Sequence, residues 1–179
     1  MYIADKYWNN YIGDTDDSLT LVEYLADKRK EEISLAEIFS DLGLDKLNGD
    51  FCQHDEPLTA VLENDESEDE PYVEFYYAVD LIMDLAALLL ECKVNGSVNL
   101  CELAGYDLET NVPDICIRAT PEEHKLMNKA LMDFVSEPAA YDVSEMCPEE
   151  EMLETAEICE KLRQELYGED LYLSGGNKG

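Results

Sequence analysis

Apolar residues return at three- and four-residue spacing along several stretches of the chain, the signature of amphipathic helices. Leu19, Val22, Leu25 and Ala26 predict a helix over about 18–30. It follows the cap-rich turn Gly13-Asp14-Thr15-Asp16-Asp17-Ser18 and ends in Lys28-Arg29-Lys30, cations suited to a helix C-terminus. Ser34-Leu35-Ala36-Glu37 has the form of a capping box and starts a short helix at Leu35 that ends near Gly43. Residues 77–92 are apolar nearly all round, which predicts a deeply buried central helix. Thr120-Pro121-Glu122-Glu123 opens another helix, whose apolar face is Leu126, Met127, Ala130, Leu131, Phe134 and Val135. Pro148 opens the last helix, with Met152, Leu153, Ala156, Cys159, Leu162 and Leu166 facing the core and Gly168 as C-terminal cap.

Other stretches read as strands. Residues 57–63 and the alternating Tyr72-Val73-Glu74-Phe75-Tyr76 predict an antiparallel hairpin, joined by the long acidic segment 64–71. Asp114 to Ala119 predicts a further strand, and residues 2–12 fit a short helix or a strand equally well. The sum is a single α+β domain over 1–173, about five helices packed on a small antiparallel sheet, with 174–179 as a flexible tail.

Charge changes this picture. The 179 residues hold 43 Asp and Glu against 12 Lys and Arg, a net charge of −31. Acidic chains stay disordered when apolar content is low, but 46% of this chain is hydrophobic, enough for a core. A strongly acidic protein is a poor binder of nucleic acid phosphates or anionic membranes, which need Lys and Arg. Spread evenly over a surface of roughly 8,800 Å², the net charges would lie about 17 Å apart. Duplex DNA carries one charge per about 1.7 Å of axis, so only clustering could imitate it.

The charge is in fact clustered. Residues 1–30 carry −2, whereas residues 47–92 hold 13 acids and no Lys or Arg. Six of these acids fall within 63–70: Glu63, Asp65, Glu66, Glu68, Asp69 and Glu70. Two readings fit the run, a solvated loop that keeps the protein soluble or a surface that meets a basic partner. Asp80, Asp84 and Glu91 share one stripe of the central helix, facing solvent or extending the acidic surface. The candidate partner contacts are the six loop acids together with Asp80 and Asp84.

Chemical signatures are sparse. Asp14-Thr15-Asp16-Asp17-Ser18 begins like a calcium loop but lacks its glycine, and Cys52-Gln53-His54 has no zinc spacing. No glycine-rich phosphate loop or nucleophile elbow occurs, so no metal, cofactor or catalytic residue is expected. Six cysteines without a Cys-x-x-Cys pair read as reduced thiols. Met1-Tyr2-Ile3-Ala4-Asp5 has no basic and apolar leader, and the longest apolar run, Leu85 to Leu90, is six residues, so a cytoplasmic protein is expected.

Taken whole, the chain resembles the acidic immunity proteins of bacterial polymorphic toxin and contact-dependent inhibition systems. The resemblance lies in its small size, acidity and α+β pattern. It lies also in the stretches Tyr7-Trp8-Asn9-Asn10-Tyr11-Ile12-Gly13 with Thr15-Asp16-Asp17-Ser18-Leu19, and Asp84 to Lys93. It implies a stoichiometric inhibitor that covers the active cleft of a cognate toxin, often a nuclease with a basic cleft, and it assigns no functional residue. Carboxylates and exposed Tyr on such an inhibitor would compete with a polyanionic substrate. Two further readings stay open: a DNA mimic occupying DNA-binding proteins, and a small-molecule-binding domain or enzyme of unrecognised type.

Overall fold

A computed structural model describes residues 1–8, 12–52, 58–62, 72–104 and 112–168. The elements in chain order are α1 (Tyr2–Lys6), α2 (Asp16–Lys28), β1 (Glu32–Ser34), α3 (Leu35–Leu42), β2 (Leu58–Val61) and β3 (Tyr72–Phe75). They continue with α4 (Ala78–Asn95), α5 (Leu100–Ala104), β4 (Cys116–Arg118), α6 (Pro121–Ser136) and α7 (Glu149–Arg163). The class is α+β in one domain, as expected from the alternation of helical and strand patterns.

The core is organised around α4. Every residue from Ala78 to Glu91 is buried, because neighbours cover all of its faces. α1, α2, α6, α7, β4 and the π-helical turn Gln164–Gly168 pack on it. An amphipathic helix would need only one covered side; an all-round apolar helix needs this full jacket.

Helix starts follow the sequence closely. Thr15 Oγ1 accepts the Ser18 N–H at 3.1 Å and opens α2. At α6, Thr120 Oγ1 accepts the Glu123 N–H at 3.1 Å, while Glu123 accepts the Thr120 N–H at 2.8 Å. At α3 only half of the expected box forms. Ser34 Oγ takes the Glu37 N–H at 3.0 Å, but the Glu37 carboxylate turns to Lys30 and Lys28 at 2.8 and 3.4 Å. Two nearby ammonium groups outcompete one backbone donor.

The hairpin is antiparallel with Val61 opposite Tyr72 and Leu58 opposite Phe75. The other strand pair was not expected. β4 runs parallel to β1, with Ile33 opposite Ile117. Glu32-Ile33-Ser34 is too short to carry a strand pattern of its own, and only its tertiary partner makes it one. The segment 2–12, open between helix and strand, forms α1 and then a bridge between Trp8 and Ile12. Leu19 and Leu153, expected on core faces, are exposed. Leu21 takes the buried place in α2, and the α7 stripe runs through Met152, Ala156, Cys159 and Leu162 without Leu153. The tail 174–179 lies outside the described residues.

Candidate functional site

The hairpin has two chemically distinct faces. Strand residues alternate sides. Leu58, Ala60 and Phe75 turn into the core. Thr59, Val61, Tyr72 and Glu74 turn outward, in register as the pairs Val61–Tyr72 and Thr59–Glu74. Val61 is 67% exposed, Tyr72 55%, and Tyr76, just past the strand, 58%. Large apolar groups so exposed are costly to hydrate when they lie side by side, which marks the face as a place to dock.

A buried carboxylate holds this face in position. Asp17, in the first turn of α2, accepts the N–H groups of Tyr76 and Tyr77 at 2.8 and 2.9 Å, one on each carboxylate oxygen. Those residues join β3 to α4, so Asp17 ties the exit of the hairpin to the first turn of α2. In the sequence Asp17 belongs to the cap-rich turn that leads into α2; its partners are about sixty positions away and leave no local signal. The outward set Val61, Tyr72 and Tyr76 was readable in part, since alternation marks the sides of β3 but not which side is inward.

The six acids Glu63, Asp65, Glu66, Glu68, Asp69 and Glu70 lie outside the described residues. In sequence they connect the two strands of this hairpin. Asp80 and Asp84 lie elsewhere, and the expectation of a surface stripe is corrected for them and for Glu91. Their exposures are 7%, 2% and 2%. The jacket of helices that covers α4 covers its polar stripe as well. Asp84 accepts the Gly13 N–H at 3.2 Å and the Ser18 hydroxyl at 2.7 Å. Glu91 accepts the Ile3 N–H at 2.9 Å and the Asn95 amide at 2.5 Å. Both carboxylates tie the N-terminal segment to α4.

Burial sets the protonation of this inner cluster. Loss of hydration, followed by the like charges of Asp17, Asp14 and Asp142, pushes the Asp80 carboxyl up to about 7. Burial also raises Asp84 well above the carboxylate range, although Ser18 and Gly13 donate to it. The unfolded chain releases the Asp80 proton near 3.8. Between that pH and about 7 the folded chain therefore holds more protons, and its stability falls as pH rises through the window. The rise corresponds to at most about 4 kcal/mol, and local relaxation should roughly halve it. Asp80→Asn is thus expected to stabilise the protein by about 2 kcal/mol at pH 8 and to flatten the difference between pH 5.5 and 8. Urea unfolding at the two pH values reads this directly; a variant less stable than the parent at pH 8 would contradict it.

The thiols and the histidine play quieter parts. All six cysteines are free thiols, in line with the reduced reading. His124 packs on Tyr167, with Nδ1 2.8 Å from the tyrosine hydroxyl. Among the described residues no helix is long and apolar enough to cross a membrane.

An exposed aromatic strand face, pinned by a buried carboxylate and flanked in sequence by a run of acids, has the make-up of a protein-docking surface. The family of the chain agrees with that class. A family model for Immunity protein 68 matches residues 2–166, and the chain belongs to this family. It is an immunity protein of a toxin system. No curated protein and no solved structure matches the chain.

Proposed function

We propose that the chain neutralises its toxin as a stoichiometric, non-enzymatic inhibitor, docking through the outer face of the β2–β3 hairpin and the acidic segment 63–70. Tyr72, Tyr76 and Val61 would act as anchors. Glu63, Asp65, Glu66, Glu68, Asp69 and Glu70 would meet a basic cleft, of the kind a nuclease uses to hold its polyanionic substrate. The observation that carries the reading is the exposure of Val61, Tyr72 and Tyr76 within a 46-residue stretch that has no Lys or Arg. Aromatic anchors supply the affinity, and complementary charge supplies speed and register. Asp80 and Asp84 fall outside this surface because they are buried.

The division of labour is testable with the purified cognate toxin. The association rate is expected to fall about tenfold or more between 50 and 500 mM salt, with little change in dissociation. An association rate indifferent to salt would remove the acidic segment from the mechanism.

A further inference from the structure

A cavity of about 510 Å³ opens between the C-terminal part of α4, strand β4, the start of α6 and the turn 164–168. Its charge is opposite to that of the molecule. Lys93, Arg118 and Lys125 line it, together with His124, and among the described residues no carboxylate does. At the average composition of this chain, a lining of that size would carry about three carboxylates and one cation. The inversion is local, and at physiological salt it is felt locally, since charges beyond about 8 Å are largely screened.

The cations sit at the mouth and the apolar groups at the floor. Lys93, Arg118 and Lys125 are exposed, whereas Leu89, Ile117 and Leu166 are buried. Two of the three cations are anchored. Lys93 Nζ donates to the Leu166 carbonyl at 3.2 Å, and Arg118 Nε donates to Glu32 at 2.9 Å. Among the described residues nothing pairs with the Lys125 ammonium, which stands at the mouth as an uncommitted charge. The thiol of Cys92 also lines the cavity, and burial pushes it up to about 12, so it adds no negative charge.

We propose that this cavity binds a small amphipathic organic anion, a carboxylate carried on an apolar chain or ring. The apolar body rests on Leu89, Ile117 and Leu166, and the carboxylate meets Lys93, Arg118 and Lys125. The volume lies within the range of small-molecule sites, about 300–1,000 Å³. A large polyanion would waste the apolar floor, and a neutral apolar ligand would leave the Lys125 charge unanswered at the mouth. The site uses none of the residues assigned to toxin docking, so either reading can fail alone.

The test is an amide chemical-shift titration with 4-phenylbutyrate, its neutral analogue 4-phenylbutyramide and inorganic phosphate. 4-Phenylbutyrate should shift the amides of Ile117, Arg118, His124, Lys125 and Tyr167 in a saturable manner. The neutral amide and phosphate should each bind at least about tenfold more weakly, since each lacks half of the matching chemistry. Lys125→Glu lies on an exposed helix position and should keep the melting temperature while weakening 4-phenylbutyrate at least about tenfold. The proposal is overturned if 4-phenylbutyrate leaves those amides unmoved, if acid and amide bind alike, if phosphate binds as well as either, or if Lys125→Glu leaves binding unchanged.

Discussion

Gly13→Ala is expected to destabilise the protein by about 4 kcal/mol, more than any other alanine substitution of a glycine among the described residues. Three costs coincide there. Gly13 has φ +78, a conformation that costs a residue with a side chain roughly 1–2 kcal/mol. A Cβ at this position would lie 2.2 Å from Cδ2 and 2.6 Å from Cγ of Trp8. Trp8 is buried and cannot swing aside, so overpacking adds about 1–3 kcal/mol. The Gly13 N–H also donates to the buried Asp84 carboxyl at 3.2 Å, and any backbone shift that relieves the clash weakens that bond. Gly96→Ala is the matched control. It has φ +88, but a Cβ there meets nothing within 4 Å, so only the strain cost applies. Thermal unfolding of the two variants separates the costs. Gly13→Ala should lose about 10 °C and Gly96→Ala about 3–5 °C. Equal losses would show that Trp8 yields its place and that the packing argument is wrong.

The second large effect concerns binding. Replacing both Tyr72 and Tyr76 by alanine is expected to weaken the toxin complex at least about 100-fold, mostly through faster dissociation. The same change should alter stability by no more than about 0.5 kcal/mol. The reason is that both rings are more than half exposed, while the Tyr76 group that matters for folding is its backbone N–H, held by Asp17. Alanine keeps that N–H. Neutralising the six acids of 63–70 should have a different signature, a slower and less salt-sensitive association with nearly unchanged dissociation. Surface plasmon resonance distinguishes the two. A Tyr72→Ala/Tyr76→Ala variant that binds as tightly as the parent would exclude the hairpin face as the anchor.

How far the sequence could be read depended on the range of the interactions. Local rules located the long helices, because caps such as Thr15 and Thr120 and the apolar periodicity lie within a few residues of one another. The hairpin was legible for the same reason, from alternation and β-forming residues on either side of the acidic segment 64–71. The parallel pair β1–β4 was not, because Ile33 and Ile117 meet only in three dimensions. Neither was the fate of the acids on α4. A helix apolar on every other side implies burial, yet carboxylates are normally left in water. Only the structure shows that Gly13, Ser18 and Ile3 supply the donors that let Asp84 and Glu91 go inside. The cationic cavity was hidden for a similar reason: Lys93, Arg118 and Lys125 come from three elements and form no run in the chain.

The inhibitor account is tested most directly by titrating the purified cognate toxin with the folded chain and measuring residual toxin activity. The account predicts a linear fall to zero at one molar equivalent, with the Tyr72→Ala/Tyr76→Ala variant shifted far to the right. Toxin activity that persists at several equivalents of folded protein would contradict neutralisation by binding. Complete loss at a small fraction of one equivalent would contradict it equally, by showing that the chain turns over.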